Sequence, residues 1–128
     1  MRWMPIPALA AAIAAASPAA AFDGVRDVHV IEVGTDAPGA FCADFLLSNR
    51  QAALALRQSR RITTEQYLEQ FDFLPCYVRG SARLAGDPVR WELRAGGNGT
   101  ITAADGRVIA IGCPRCAQTF GAGGSGPD

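Results

Sequence analysis

Between Phe73 and Cys116 the chain reads FLPCYVRGSARLAGDPVRWELRAGGNGTITAADGRVIAIGCPRC, with apolar and polar residues alternating through most of it. A period of two puts successive side chains on opposite sides of an extended strand, so the stretch is suited to half-buried sheet. Turn residues interrupt the alternation at Gly86-Asp87-Pro88, Gly96-Gly97-Asn98-Gly99 and Asp105-Gly106. The expectation is four short antiparallel strands in a meander, ending in Cys113-Pro114-Arg115-Cys116.

Upstream, the valine-rich Val25 to Val33 alternates loosely and reads as a first strand, followed by the turn residues Gly34 to Gly39. Phe41 to Phe45 reads as a short strand or an extended approach to a helix. Ser48-Asn49-Arg50-Gln51 and Thr63-Thr64-Glu65-Gln66 both fit the S/T-x-x-E/Q capping box, in which two side chains reciprocally satisfy orphan backbone donors. The first helix is expected from about Asn49 to Arg61, with Leu47, Leu54, Ala55 and Ile62 facing the sheet. The second carries Tyr67, Leu68 and Phe71, and Pro75 stops it. The fold class expected is α+β: an N-terminal strand, two short helices, then a four-stranded antiparallel meander.

The hairpin register follows from where the turn closes. A turn at Gly86-Asp87 pairs Leu84 with Val89, Ala82 with Trp91 and Gly80 with Leu93 on the inner face. The outer face then sets Arg83 against Arg90 and Arg79 against Arg94, with Ser81 opposite Glu92. Like charges directly across a ladder are unfavourable. Those four arginines therefore need a partner. It is either internal, from Glu65, Glu69 or Asp72, or an external anion such as a carboxylate-bearing ligand or an acidic protein surface. Arg50, Arg57 and Arg61 read as a solvated helix side. Val108 to Ile111 is apolar on both faces and reads as a central or helix-covered strand.

The start of the chain has the form of a secretory signal peptide. Arg2 supplies positive charge, Ile6 to Ala16 an apolar run, and Ala19-Ala20-Ala21 a small-residue cleavage site. The run is too short for a membrane span, which needs about 20 apolar residues. The expected organisation is a signal peptide over 1–21, one α+β domain over 22–120 and a disordered Gly-rich tail over 121–128. Localisation is then periplasmic or secreted, with no membrane span after cleavage. All 12 basic residues are Arg; without Arg2, 11 face 12 acids, a net charge near −1. So balanced a chain carries no field that would recruit nucleic acid.

Four cysteines, Cys42, Cys76, Cys113 and Cys116, remain after the signal segment. An even number in a small exported chain indicates disulfides, with three possible connectivities. The preferred one ties Cys42 and Cys76 each to one cysteine of the C-terminal motif. A sharper reading takes Cys113-Pro114-Arg115-Cys116 as a C-x-x-C redox pair resembling thioredoxin and glutaredoxin proteins, with Arg115 favouring a thiolate. In those proteins, however, the motif opens a helix, and here it closes the last strand. An all-cysteine zinc site would want two close pairs where this chain has one.

No nucleotide-binding or hydrolase motif occurs, and Gly96 to Gly99 joins strands rather than opening a helix. His29 is the chain's one histidine and reads as a surface or satisfied residue rather than a base. Neither a cofactor nor a metal is expected, and no catalytic residue is assigned. The segments LPCYVRG, WELRAGGNGTI and DGRVIAIGCPRC together resemble small exported proteins of proteobacteria. That resemblance implies export and carries no activity with it. The reading is a disulfide-stabilised binding or accessory domain rather than an enzyme. Its candidate contact face is Arg79, Arg83, Arg90 and Arg94. The alternative is a thiol–disulfide oxidoreductase working through Cys113 and Cys116.

Overall fold

The computed structural model describes residues 22–38, 42–116 and 120. The expected signal segment 1–21 and Gly-rich tail 121–128 lie outside the described residues. The elements in chain order are β1 (Val25–Thr35), α1 (Asn49–Gln58), β2 (Arg60–Arg61), α2 (Thr64–Glu69), β3 (Cys76–Leu84), β4 (Asp87–Arg94), β5 (Asn98–Ala103) and β6 (Val108–Gly112). All six strands join one antiparallel sheet in the order β1-β3-β4-β5-β6-β2.

This corrects the expected fold class. A four-stranded meander preceded by a separate strand and two helices does not describe the molecule, because the sheet has six strands. β1 lies along the outer edge of β3, with Val25 opposite Leu84 and Thr35 opposite Cys76. The two residues of β2 extend the other edge, pairing with Gly112 and Ile111. Local alternation marks a strand but says nothing of its distant neighbour, and both additions depend on long-range pairing.

The hairpin register is also corrected, by two residues. The β3–β4 turn is Ala85-Gly86, and Leu84 pairs with Asp87. Both turn residues have positive φ, 53° and 86°, as the right-handed twist of a two-residue hairpin requires. Ala85 takes a left-handed conformation that alanine disfavours, so nothing in its residue type marks it as a turn position. Trp91 therefore faces Gly80 rather than Ala82. The indole covers the Gly80 Cα closely enough that a Cβ there would collide with it. The even shift leaves each residue on its expected side of the sheet.

α1 closes one side of the sheet. Ala52, Ala55 and Leu56 pack with Val78, Trp91, Leu93, Ile101 and Ile111 in a core joined by Phe22, Val25, Phe45 and Leu47. Ser48 caps the helix, accepting from the Gln51 N–H while the Gln51 side chain accepts from the Ser48 N–H. The helix ends at Gln58 rather than Arg61. The Ser59 hydroxyl, fully buried, donates to Ala55 O at 2.8 Å, and the backbone turns extended to form β2. Leu54 points outward at 53% exposure, so the expected helix face is rotated onto Ala52 and Leu56. α1 also satisfies backbone groups of β1: Arg57 donates to Val25 O, and Asn49 Oδ1 accepts from the Val30 N–H. Among the described residues no helix is long and apolar enough to cross a membrane.

Candidate functional site

The other side of the sheet is only half covered. α2 starts at the second capping box, where Thr63 accepts from the Gln66 N–H and the Gln66 side chain accepts in return. Behind it, the Phe71 ring lies directly on Gly112, where a Cβ would not fit. Tyr67 and Phe73 meet edge to face at 6.2 Å. On this side runs a chain of ion pairs, half exposed at its Glu32–Arg79 end and buried at Arg94. Glu32 meets Arg79 at 3.6 Å, Arg79 meets Glu92 at 2.8 Å, and Glu92 meets Arg94 at 3.0 Å. Arg94 ends the chain on Asp36 and also donates to Leu74 O at 2.7 Å.

Arg94 is 4% exposed. Burial alone would lower its pKa, but the bond to Asp36 and the charges of Glu92 and Asp36 outweigh it and hold the guanidinium above its ordinary value. The hydrogen bond to Glu92 likewise raises Arg79. Arg79 stacks on Tyr77 at 3.9 Å and Arg94 on Phe73 at 4.5 Å. Burial raises the Tyr67 phenol above its usual range.

The shifted register therefore divides the four expected arginines. Arg79 lies opposite Glu92, not Arg94, and Arg90 lies opposite Ser81, not Arg83. The two expected like-charge pairs do not form, although Arg83 lies opposite Arg26 of β1. Arg79 and Arg94 are committed internally, to Glu32, Glu92 and Asp36 rather than to Glu65, Glu69 or Asp72. Arg83 is held loosely, 3.9 Å from Asp27 and donating to Gly86 O at 2.9 Å. Arg90 is exposed, and no ion pair joins it to a described residue.

Cross-strand pairing sets His29, Ser81, Arg90 and Thr102 side by side on four neighbouring strands. With Arg83 and Asp27 they line an open groove of about 440 Å³ beyond the cover of α2. Nothing in the sequence marks Thr102, and His29 reads there as a surface or satisfied residue rather than a base. Only the strand order and register could have placed them together.

The cysteines form two disulfides, Cys42–Cys76 and Cys113–Cys116. This overturns the preferred connectivity, and it leaves no free thiolate for a zinc site. Among the described residues no cluster of three or more His, Cys, Asp or Glu is placed to hold a metal. Cys42–Cys76 spans 34 residues and ties the segment before α1 to the start of β3. Cys113–Cys116 spans three. By chain entropy the first constrains the unfolded state by about 4 kcal/mol and the second by about 2 kcal/mol. Both cysteines of the short bridge are 2% exposed, and Gln58 Oε1 sits 3.9 Å from each sulfur. Neither sulfur carries a proton in the disulfide, so this is a contact and not a hydrogen bond. Gln58, Arg60, Cys113, Pro114 and Arg115 line a cleft of about 380 Å³. No protein-family model, curated protein or solved structure matches the chain.

Proposed function

We propose that the protein is an exported, disulfide-stabilised binding domain whose open groove takes a carboxylate-bearing ligand. The observation that carries this reading is the contrast between Arg94 and Arg90 on one strand. Arg94 is buried in a closed ion-pair chain, whereas Arg90 stands exposed between Ser81 and Thr102. A planar guanidinium offers two parallel N–H donors to a carboxylate, and flanking hydroxyls supply further donors. Arg83 adds charge at the groove's end, reduced by Asp27. The two disulfides fit an oxidising compartment, the periplasm or the exterior, where such bonds persist.

Titration calorimetry with citrate and with inorganic phosphate tests the reading. Saturable binding to the wild-type protein is expected, lost in Arg90→Gln and weakened in Arg83→Gln. Since neither arginine supports the core, both variants should melt within about 0.5 kcal/mol of the parent. No saturable binding, or binding unchanged in Arg90→Gln, rejects the groove.

A further inference from the structure

The two disulfides differ in more than span. Cys42–Cys76 joins segments far apart in the chain, whereas Cys113–Cys116 joins residues that the chain already holds close. As a cross-link the short bridge contributes about half as much. Cys113 is further fixed by the chain itself, its N–H donating to Gly97 O at 2.8 Å. The fold thus depends less on the short bridge than on Cys42–Cys76 for its shape.

Its surroundings suit thiol chemistry. The cleft that Cys113 lines is walled by Arg60 and Arg115, and no acidic side chain is among its described lining residues. Arg60 lies on the edge strand β2 opposite Gly112, is exposed, and has no ion pair to a described residue. Positive charge beside a sulfur lowers the free energy of a thiolate there, whether it is an attacking or a departing one. It also draws in a thiol that carries carboxylates.

We propose that Cys113–Cys116 is a redox site, separate from the Arg90 groove, that exchanges with small anionic thiols held by Arg60. The incoming thiolate attacks Cys113 Sγ, and the Cys113–Cys116 bond breaks to leave a thiolate on Cys116. A second thiolate attacks the small-molecule sulfur of the mixed disulfide, which departs as its own disulfide and leaves a thiolate on Cys113. Two small thiols are oxidised, one protein disulfide is reduced, and the two cysteine thiolates take up two protons. Burial of both cysteines makes the exchange slower than at an open disulfide. It therefore favours a thiol that the arginine can detain.

The test equilibrates the whole protein in graded glutathione buffers, quenches it with acid and maps disulfides without reduction. The expected result is that Cys113–Cys116 opens in buffers that leave Cys42–Cys76 closed. Both bridges opening together, or the short one staying closed throughout, overturns the proposal. The rate gives a second readout that needs no cysteine variant. Arg60→Gln should slow reduction by glutathione, which is anionic, about three-fold, and leave reduction by the cationic thiol cysteamine unchanged or faster. Equal effects on the two thiols would remove Arg60 from the site and overturn its part in the proposal.

Discussion

On the α1 side of the sheet, Trp91, Leu93, Ile101 and Ile111 meet Ala52, Ala55 and Leu56 in an apolar core. On the α2 side, β3, β4 and β5 present Arg79, Arg90, Glu92, Arg94, Thr100 and Thr102. The first side needs only complementary volume, and α1 closes it. The second is closed only where charges neutralise one another and aromatic rings cover them. The row of His29, Ser81, Arg90 and Thr102 lies open on this side, and no ion pair joins Arg90 to a described residue. Arg90 is thus an exposed charge on the same strand as the buried and paired Arg94.

The strongest way to break this contrast is to compare the two sides by substitution. Leu56→Ala, at 1% exposure, should cost about 2–5 kcal/mol in denaturant unfolding through lost burial and the cavity it leaves. Glu92→Gln removes the carboxylate shared by Arg79 and Arg94 and leaves a nearly buried guanidinium with Asp36 as its remaining anion. A loss of about 2–3 kcal/mol is expected, discounted for the partial exposure of Glu92. A loss under about 0.5 kcal/mol would mean that the ion-pair chain is ornamental and the two sides are not held by different means.

A smaller effect should appear in alkali. The folded state raises the Tyr67 pKa by burial, so the neutral phenol is favoured in the fold. Its contribution is complete below the unfolded value of about 10. It is lost as pH rises through the higher folded value. Tyr67→Phe should flatten the alkaline limb of a stability-versus-pH curve, and an unchanged limb would place its cause elsewhere.

The parts of the fold written in local chemistry were legible beforehand. Both capping boxes form as spaced, because the donors they satisfy lie three residues away. The side of the sheet on which each of Arg79, Arg83, Arg90 and Arg94 falls also follows from alternation alone. What depended on distant partners was not legible. The placement of β1 beside β3, the capture of Arg60–Arg61 by β6 and the cysteine pairing are all of this kind. The β3–β4 turn has the widest consequences. A turn on Gly86-Asp87 would set arginine against arginine, whereas the turn on Ala85-Gly86 gives Arg79–Glu92 and Ser81–Arg90. A residue pattern fixes the side of a strand, but the neighbour across the ladder needs the turn's dihedral angles.

His29 offers the most direct measurement. It is the chain's one histidine and stands at the end of the open row, directly opposite Ser81. Its ring proton signals can therefore be followed without assigning the whole spectrum. Titrating citrate at constant pH and ionic strength should shift those signals saturably in the wild-type protein and leave them still in Arg90→Gln. Signals that do not move in the wild type, or that move equally in Arg90→Gln, would contradict a carboxylate site on this half of the sheet.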